Sequence, residues 1–183
     1  METTEKIVEA YCRYIKGWAT IPNIRCPGQY EIDLLAIDPR TMERYHIEIG
    51  VSINGKYART TARQFNLHKF NAEGVIEKLK EYGFQPDQYS KIIVTWGWKD
   101  KAKSQADANG IILWDFRDLL REIGEIFGKH PHYYKDDTLR TLQLFTMTSR
   151  QGSKRRKKLK FEWIGGLREY RDQFTAVELQ KKS

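Results

Sequence analysis

Two short β-rich segments joined by a tight turn constrain this chain more than any other feature. Residues 30–37 read Tyr-Glu-Ile-Asp-Leu-Leu-Ala-Ile and residues 44–53 read Arg-Tyr-His-Ile-Glu-Ile-Gly-Val-Ser-Ile, with Asp38-Pro39-Arg40 supplying turn chemistry between them. Successive side chains in a strand alternate faces. Glu31 and Asp33 are therefore expected on one side of the first segment, and Ile32 and Leu34 on the other. In the second, His46, Glu48, Gly50 and Ser52 share one face while Ile47, Ile49, Val51 and Ile53 share the opposite one. With the turn centred between residues 40 and 41, positions equidistant from it face each other, and Asp33 and Glu48 are such a pair. Cross-strand partners approach to about 5 Å, so both carboxylates would project from one place. Like charges there repel unless a cation lies between them, and hard oxygen donors suit Mg²⁺ or Mn²⁺. The plain alternative is an ordinary solvated strand face carrying two unrelated acids.

The elements around this pair predict an α/β fold. A helix begins near Thr3 or Thr4, where a hydroxyl can cap it, and runs to Gly17, with Ile7, Val8, Tyr11, Cys12, Tyr14, Ile15 and Trp18 on one broad apolar face. An extended stretch over residues 18–26 precedes the Pro27-Gly28 turn, so three strands form an antiparallel meander. A long helical stretch follows over residues 59–82, interrupted near Gly74. Then strand (91–96), helix (101–108), strand (111–114) and helix (115–127) alternate, the pattern of parallel strands with crossover helices. The expected architecture is a mixed central β-sheet flanked by helices.

Charge sharpens the division of labour. The 183 residues carry a formal charge of +8, and the tract over residues 150–160 holds seven basic residues and no acid. Residues 1–149 thus form a nearly neutral core domain, 150–160 a basic linker and 161–183 a short helical tail. Lys154, Arg155, Arg156, Lys157, Lys158 and Lys160 read as a phosphate-seeking tether, which gives salt-dependent, sequence-independent attachment to nucleic acid. Beyond it, Leu167, Tyr170, Phe174, Val177 and Leu179 mark an amphipathic stretch that resembles a C-terminal peptide of some small prokaryotic toxin–antitoxin proteins; docking onto a subunit or partner protein is the expectation. Cys12 and Cys26 form no CxxC pair or disulfide framework. No apolar run suits a membrane span and no leader pattern is visible, so a cytoplasmic location without membrane contact is expected. No Walker loop, Rossmann fingerprint or Ser/His/Asp arrangement is present.

The run Gly28-Gln29-Tyr30-Glu31-Ile32-Asp33-Leu34-Leu35-Ala36-Ile37 after an acid-bearing helix, then Tyr45-His46-Ile47-Glu48-Ile49-Gly50-Val51-Ser52 and a long helix, resembles the PD-(D/E)XK nuclease superfamily. The likeness is closest to its Mrr-type restriction endonucleases and Holliday-junction resolvases, and Ala106-Asp107-Ala108-Asn109-Gly110-Ile111-Ile112-Leu113-Trp114-Asp115 matches the helix and strand that close the core there. It covers residues 3–128 and implies a restriction-endonuclease-like αβββαβ core.

The resemblance implies a Mg²⁺- or Mn²⁺-dependent nuclease acting on nucleic acid, DNA foremost. Asp33 and Glu48 match the family's metal-binding acids, and the Ile49 carbonyl falls where a backbone ligand is often added. The first-helix acid matches Glu5 or Glu9, and the placement of Glu5 relative to Gly17 looks more like the family. Dimerisation is common among relatives that cut both strands. The departure is Gly50, which stands where the family places a lysine two residues after the glutamate. Lys56 and Lys69 are level candidates for a migrated lysine, with Arg63 near the start of the same helix. The other reading is a catalytically silent nucleic-acid-binding or scaffold protein with this fold. His46 on the Glu48 face reads as a rim histidine, His130 and His132 as loop residues, and Trp96 and Trp98 as packing residues.

Overall fold

The computed structural model describes residues 2–51, 69–129 and 134–148. Helix α1, Thr3–Ala10, loosens into a π-type turn over Tyr11–Lys16 and stops at Gly17, whose φ of 74° suits glycine. Its cap differs from the expected threonine. Glu2 is the N-cap, and the Glu5 carboxylate accepts the Glu2 amide at 2.8 Å in a capping box. The longer glutamate side chains reach both free amides, which leaves the threonine hydroxyls unneeded.

Strands β1 (Ala19–Cys26), β2 (Tyr30–Ile37) and β3 (Arg44–Gly50) form the antiparallel meander. Helix α2 (Glu73–Glu81) precedes β4 (Ser90–Thr95), helix α3 (Asp100–Ala108) precedes β5 (Ile111–Asp115), and helix α4 spans Phe116–Lys129. The sheet order is β1-β2-β3-β4-β5, and β3, β4 and β5 run parallel. Parallel neighbours need a crossover, which explains why α3 intervenes between β4 and β5. This is the mixed α/β sheet with flanking helices expected from the element order.

Helix α2 buries Val75 and Leu79 against Ile24, Cys26, Ile32, Leu35 and Phe84. Helix α3 buries Ala102 and Ala106 against Phe70, Ile93 and Ile111, with Trp98 packed alongside. Helix α1 lies against β2 and β3, and α4 against β5. Tyr11 ties α1 to α4, donating to Glu122 at 2.5 Å, and Lys16 reaches the same carboxylate at 3.1 Å. Among the described residues no helix is long and apolar enough to cross a membrane.

One strand departs from strict alternation. Ile32 shares an apolar cluster with Leu35, three positions on, rather than siding simply with Leu34. The break falls at Asp33, opposite Asn23, whose φ of 51° takes it out of the β1–β2 ladder. The β1–β2 register is the same on both sides of Asn23, and residues 32–36 are all buried, with helices packed against β2.

Gly74, in the first turn of α2, explains the interruption read from the sequence. A Cβ there would overlap the Pro27 carbonyl oxygen, so the glycine lets the helix start close against the β1–β2 turn. Gly74→Ala is expected to lower stability by about 1–3 kcal/mol, read from urea denaturation midpoints at unchanged slope.

The chain divides into two compact units, Met1–Leu139 and Arg140–Ser183. The described part of the second is helical, and Leu144, Phe145 and Met147 are exposed on it.

Candidate functional site

The β2–β3 ladder pairs Ile37 with Arg44, Ala36 with Tyr45, Leu35 with His46 and Leu34 with Ile47. One step further brings Asp33 opposite Glu48, as the turn symmetry predicts. There the backbone ladder gives way to a side chain: the Ile49 amide donates to Asp33 Oδ2 at 2.7 Å. A short carboxylate can take a main-chain donor in this way, and it leaves Oδ1 free to face another group.

That group is Lys69. Its Nζ lies 3.4 Å from Asp33 Oδ1 and 3.0 Å from Glu48 Oε2, with the Glu31 carbonyl at 3.5 Å. Glu48 is 0% exposed and Asp33 8%, so the pair is far from a solvated strand face. Burial pushes both carboxyls up to about 7, and the Glu48 charge adds to the rise at Asp33 while Lys69 opposes it at both. Burial works against the Lys69 charge too, but the two acids outweigh it and hold its pKa above the ordinary lysine range.

The other Glu48 oxygen is held from its own strand. His46 Nε2 lies 2.7 Å from Glu48 Oε1, and the ring is fully buried, edge-on to Phe70 at 4.7 Å and tilted against Tyr89 at 6.1 Å. Burial pulls the imidazole down to about 3, so it is neutral at physiological pH. This corrects the rim placement read from the sequence. Alternation shows that His46 shares a face with Glu48, but Phe70 and Tyr89, which cover it, come from distant parts of the chain.

The remaining candidates distribute as follows. The Glu5 carboxylate caps its own helix. Glu9 receives Thr20 Oγ1 at 3.3 Å and pairs with Arg13 at 3.4 Å. Ile49 contributes its amide to Asp33. Lys56, Arg63, Ser52, His130, His132 and Lys154, Arg155, Arg156, Lys157, Lys158 and Lys160 lie outside the described residues. Trp96 packs against Phe116 at 6.3 Å, and Trp98 beside the α3 core.

No family model matches the chain, and no curated protein does. Three solved structures are similar at low identity. One is a protein of unknown function, AF1548, at 21% identity and a TM-score of 0.48 over 67% of this chain and 66% of that one. Another is a repair endonuclease from Pyrococcus abyssi, at 13% identity and a TM-score of 0.43 over 63% and 47%. The third is protein VC1899 from Vibrio cholerae, at 12% identity and a TM-score of 0.41 over 69% and 32%. The chain therefore spans just under two thirds of the first protein, about half of the second and a third of the last.

Chemically, the arrangement is two buried acids sharing one cation. Among the described residues no group of three or more His, Cys, Asp and Glu side chains is disposed to hold a metal. Asp33 Oδ1 and Glu48 Oε2 are nevertheless two hard oxygen donors facing one gap, the donor type that a divalent ion takes. Glu48 Oε2 is buried against the Lys69 ammonium at 3.0 Å, and with Asp33 Oδ1 it already draws one positive charge into the gap.

The same burial makes stability depend on pH. Asp33 and Glu48, raised from the ordinary carboxylate range to about 7, keep protons in the folded state that the unfolded chain has lost. Their contribution is therefore full below about pH 4 and is lost as pH rises through about 7. His46 acts oppositely, withdrawing stability as pH falls below about 6.5. Asp33→Asn in metal-free buffer is thus expected to melt higher than the wild type at pH 8, and the gain should vanish by pH 4; melting curves across that range check it.

Proposed function

We propose that this chain is a metal-dependent nuclease that hydrolyses phosphodiester bonds in nucleic acid, DNA foremost. The observation that carries the reading is the buried Asp33–Glu48 pair with the Lys69 ammonium within 3.4 Å of both. A protein bears the repulsion of two buried acids only where something offsets it, and an adaptable cation gap is useful in phosphoryl chemistry. The solved repair endonuclease gives this reading a coarse parallel only.

Asp33 Oδ1 and Glu48 Oε2 would hold Mg²⁺ or Mn²⁺, with the Ile49 carbonyl as a further oxygen donor. Bound there, the ion would polarise a phosphate and lower the pKa of a water. The chain's own residues do the rest. The Ile49 amide orients Asp33, so its outer oxygen is presented rather than free to rotate. Lys69 supplies the ammonium that the resembled family carries two residues after the glutamate, where this chain has Gly50. On this reading its ammonium would position the attacking water and balance charge that builds on the phosphate. Glu5 caps its helix.

Incubating plasmid and branched DNA with the protein and Mg²⁺ or Mn²⁺, beside a chelator control, tests the reading. Metal-dependent cleavage is expected. Binding without cleavage would favour a silent nucleic-acid-binding or scaffold protein instead.

The basic tract has its own consequence. Removing residues 150–183 is expected to weaken DNA affinity and flatten its salt dependence by up to about six units of slope, at roughly 0.9 per phosphate contact, while cleavage at low salt persists. Affinity measured against salt concentration checks this, and loss of cleavage with binding intact would end the separation of roles. The 161–183 tail is proposed to dock a subunit or partner, and sedimentation of the truncated and full chains compares the two.

A further inference from the structure

We infer that His46 is a positioning residue that fixes which oxygen Glu48 presents to the cation gap. The inference rests on the metal-site reading above. His46 Nε2 stands 2.7 Å from Glu48 Oε1, while Nδ1 is buried with no hydrogen-bond partner. Once Glu48 is ionised, as it must be to face a cation, its oxygens only accept, so the proton shared between them then belongs on Nε2, and Nδ1 is the bare nitrogen. The ring itself cannot turn freely, because it is fully buried between Phe70 and Tyr89. Residues 46 and 48 sit two apart on one strand face, so the donor reaches the acid along the strand while Lys69 approaches its other oxygen.

The consequence is directional. A glutamate side chain ends in two equivalent oxygens on a freely turning bond. With Oε1 tied to a rigid donor, Oε2 is the one left toward Asp33 and Lys69. Hydrogen bonds from a second layer hold metal-ligating carboxylates in this manner, and their loss typically weakens metal binding about 10–100-fold.

The test uses the full chain with His46→Leu and His46→Gln. Leucine fills the space without a donor, and glutamine returns an N–H near the Nε2 position. Calorimetric titration with Mn²⁺, without DNA, is expected to show binding about 10–100-fold weaker for His46→Leu and within about threefold of wild type for His46→Gln. Nitrogen NMR of the wild-type imidazole at pH 7.5 is expected to show the Nε2–H tautomer, and this holds as a test even if the leucine variant does not fold. An Nδ1–H tautomer, or equal Mn²⁺ affinity for wild type and His46→Leu, would overturn the inference and leave the metal site standing. A wild-type chain that binds no Mn²⁺ would instead remove the metal-site reading and, with it, the role given to His46.

Discussion

Asp33→Ala is expected to lower Mg²⁺-dependent cleavage at least about a thousandfold while leaving DNA affinity near wild type. The reason is where charge has to be balanced. A catalytic cation is worth several kcal/mol of transition-state stabilisation, and each 1.4 kcal/mol is a factor of ten in rate. Asp33 offers one of the two oxygens facing the gap, and its other oxygen is committed to the Ile49 amide, so alanine removes both contacts at once. A destabilised fold would be the trivial explanation for lost activity, and the electrostatics argue against it. Both carboxyls are raised by burial, so deleting one negative charge relieves repulsion with Glu48 at neutral pH. Asp33→Asn, which keeps the shape, should therefore lose activity to a similar degree without a lower melting temperature at pH 8. Kinetics under saturating metal and a melting curve on the same samples decide the matter. Full cleavage by either variant would sink the site assignment.

Lys69→Met is expected to lose both activity and stability, and the two losses should separate with pH and metal. Removing the ammonium takes away a charge-balancing donor, an effect of about 100–1,000-fold on turnover where such donors act on a developing oxyanion. It also strands two buried acids. Breaking a fully buried ion pair costs about 3–5 kcal/mol, but Lys69 is 35% exposed and the acids can escape by taking up protons, so about 1–3 kcal/mol at pH 8 is expected. At pH 5 the carboxyls of the variant are protonated and most of that deficit should disappear. Added Mg²⁺ should recover stability at pH 8 without recovering turnover, because the ion replaces the missing charge but not the water-positioning amine. A Lys69→Met variant as active as wild type would return the role to Lys56 or leave it without a lysine.

The order of elements and the meeting of Asp33 with Glu48 are legible in the sequence. Strand alternation and a symmetric turn are local properties, set within some twenty residues by steric and turn chemistry, and the ladder from Ile37–Arg44 to Leu34–Ile47 follows them. A threonine cap for α1 is what the sequence points to, but Glu2 and Glu5 satisfy the same amides with longer arms. The burial of all of residues 32–36 is not legible there, because it depends on the helices packed against β2.

By itself, the sequence determined a mixed sheet with two acids opposed on adjacent strands. Only the tertiary structure decided that those acids are buried, that Lys69 enters the gap between them, and that His46 is a covered partner of Glu48 rather than a rim residue. The physical reason is range. Which lysine reaches a pair of acids, and which rings close over a histidine, depend on where segments dozens of residues away pack back onto the sheet, and no local period or propensity encodes that return.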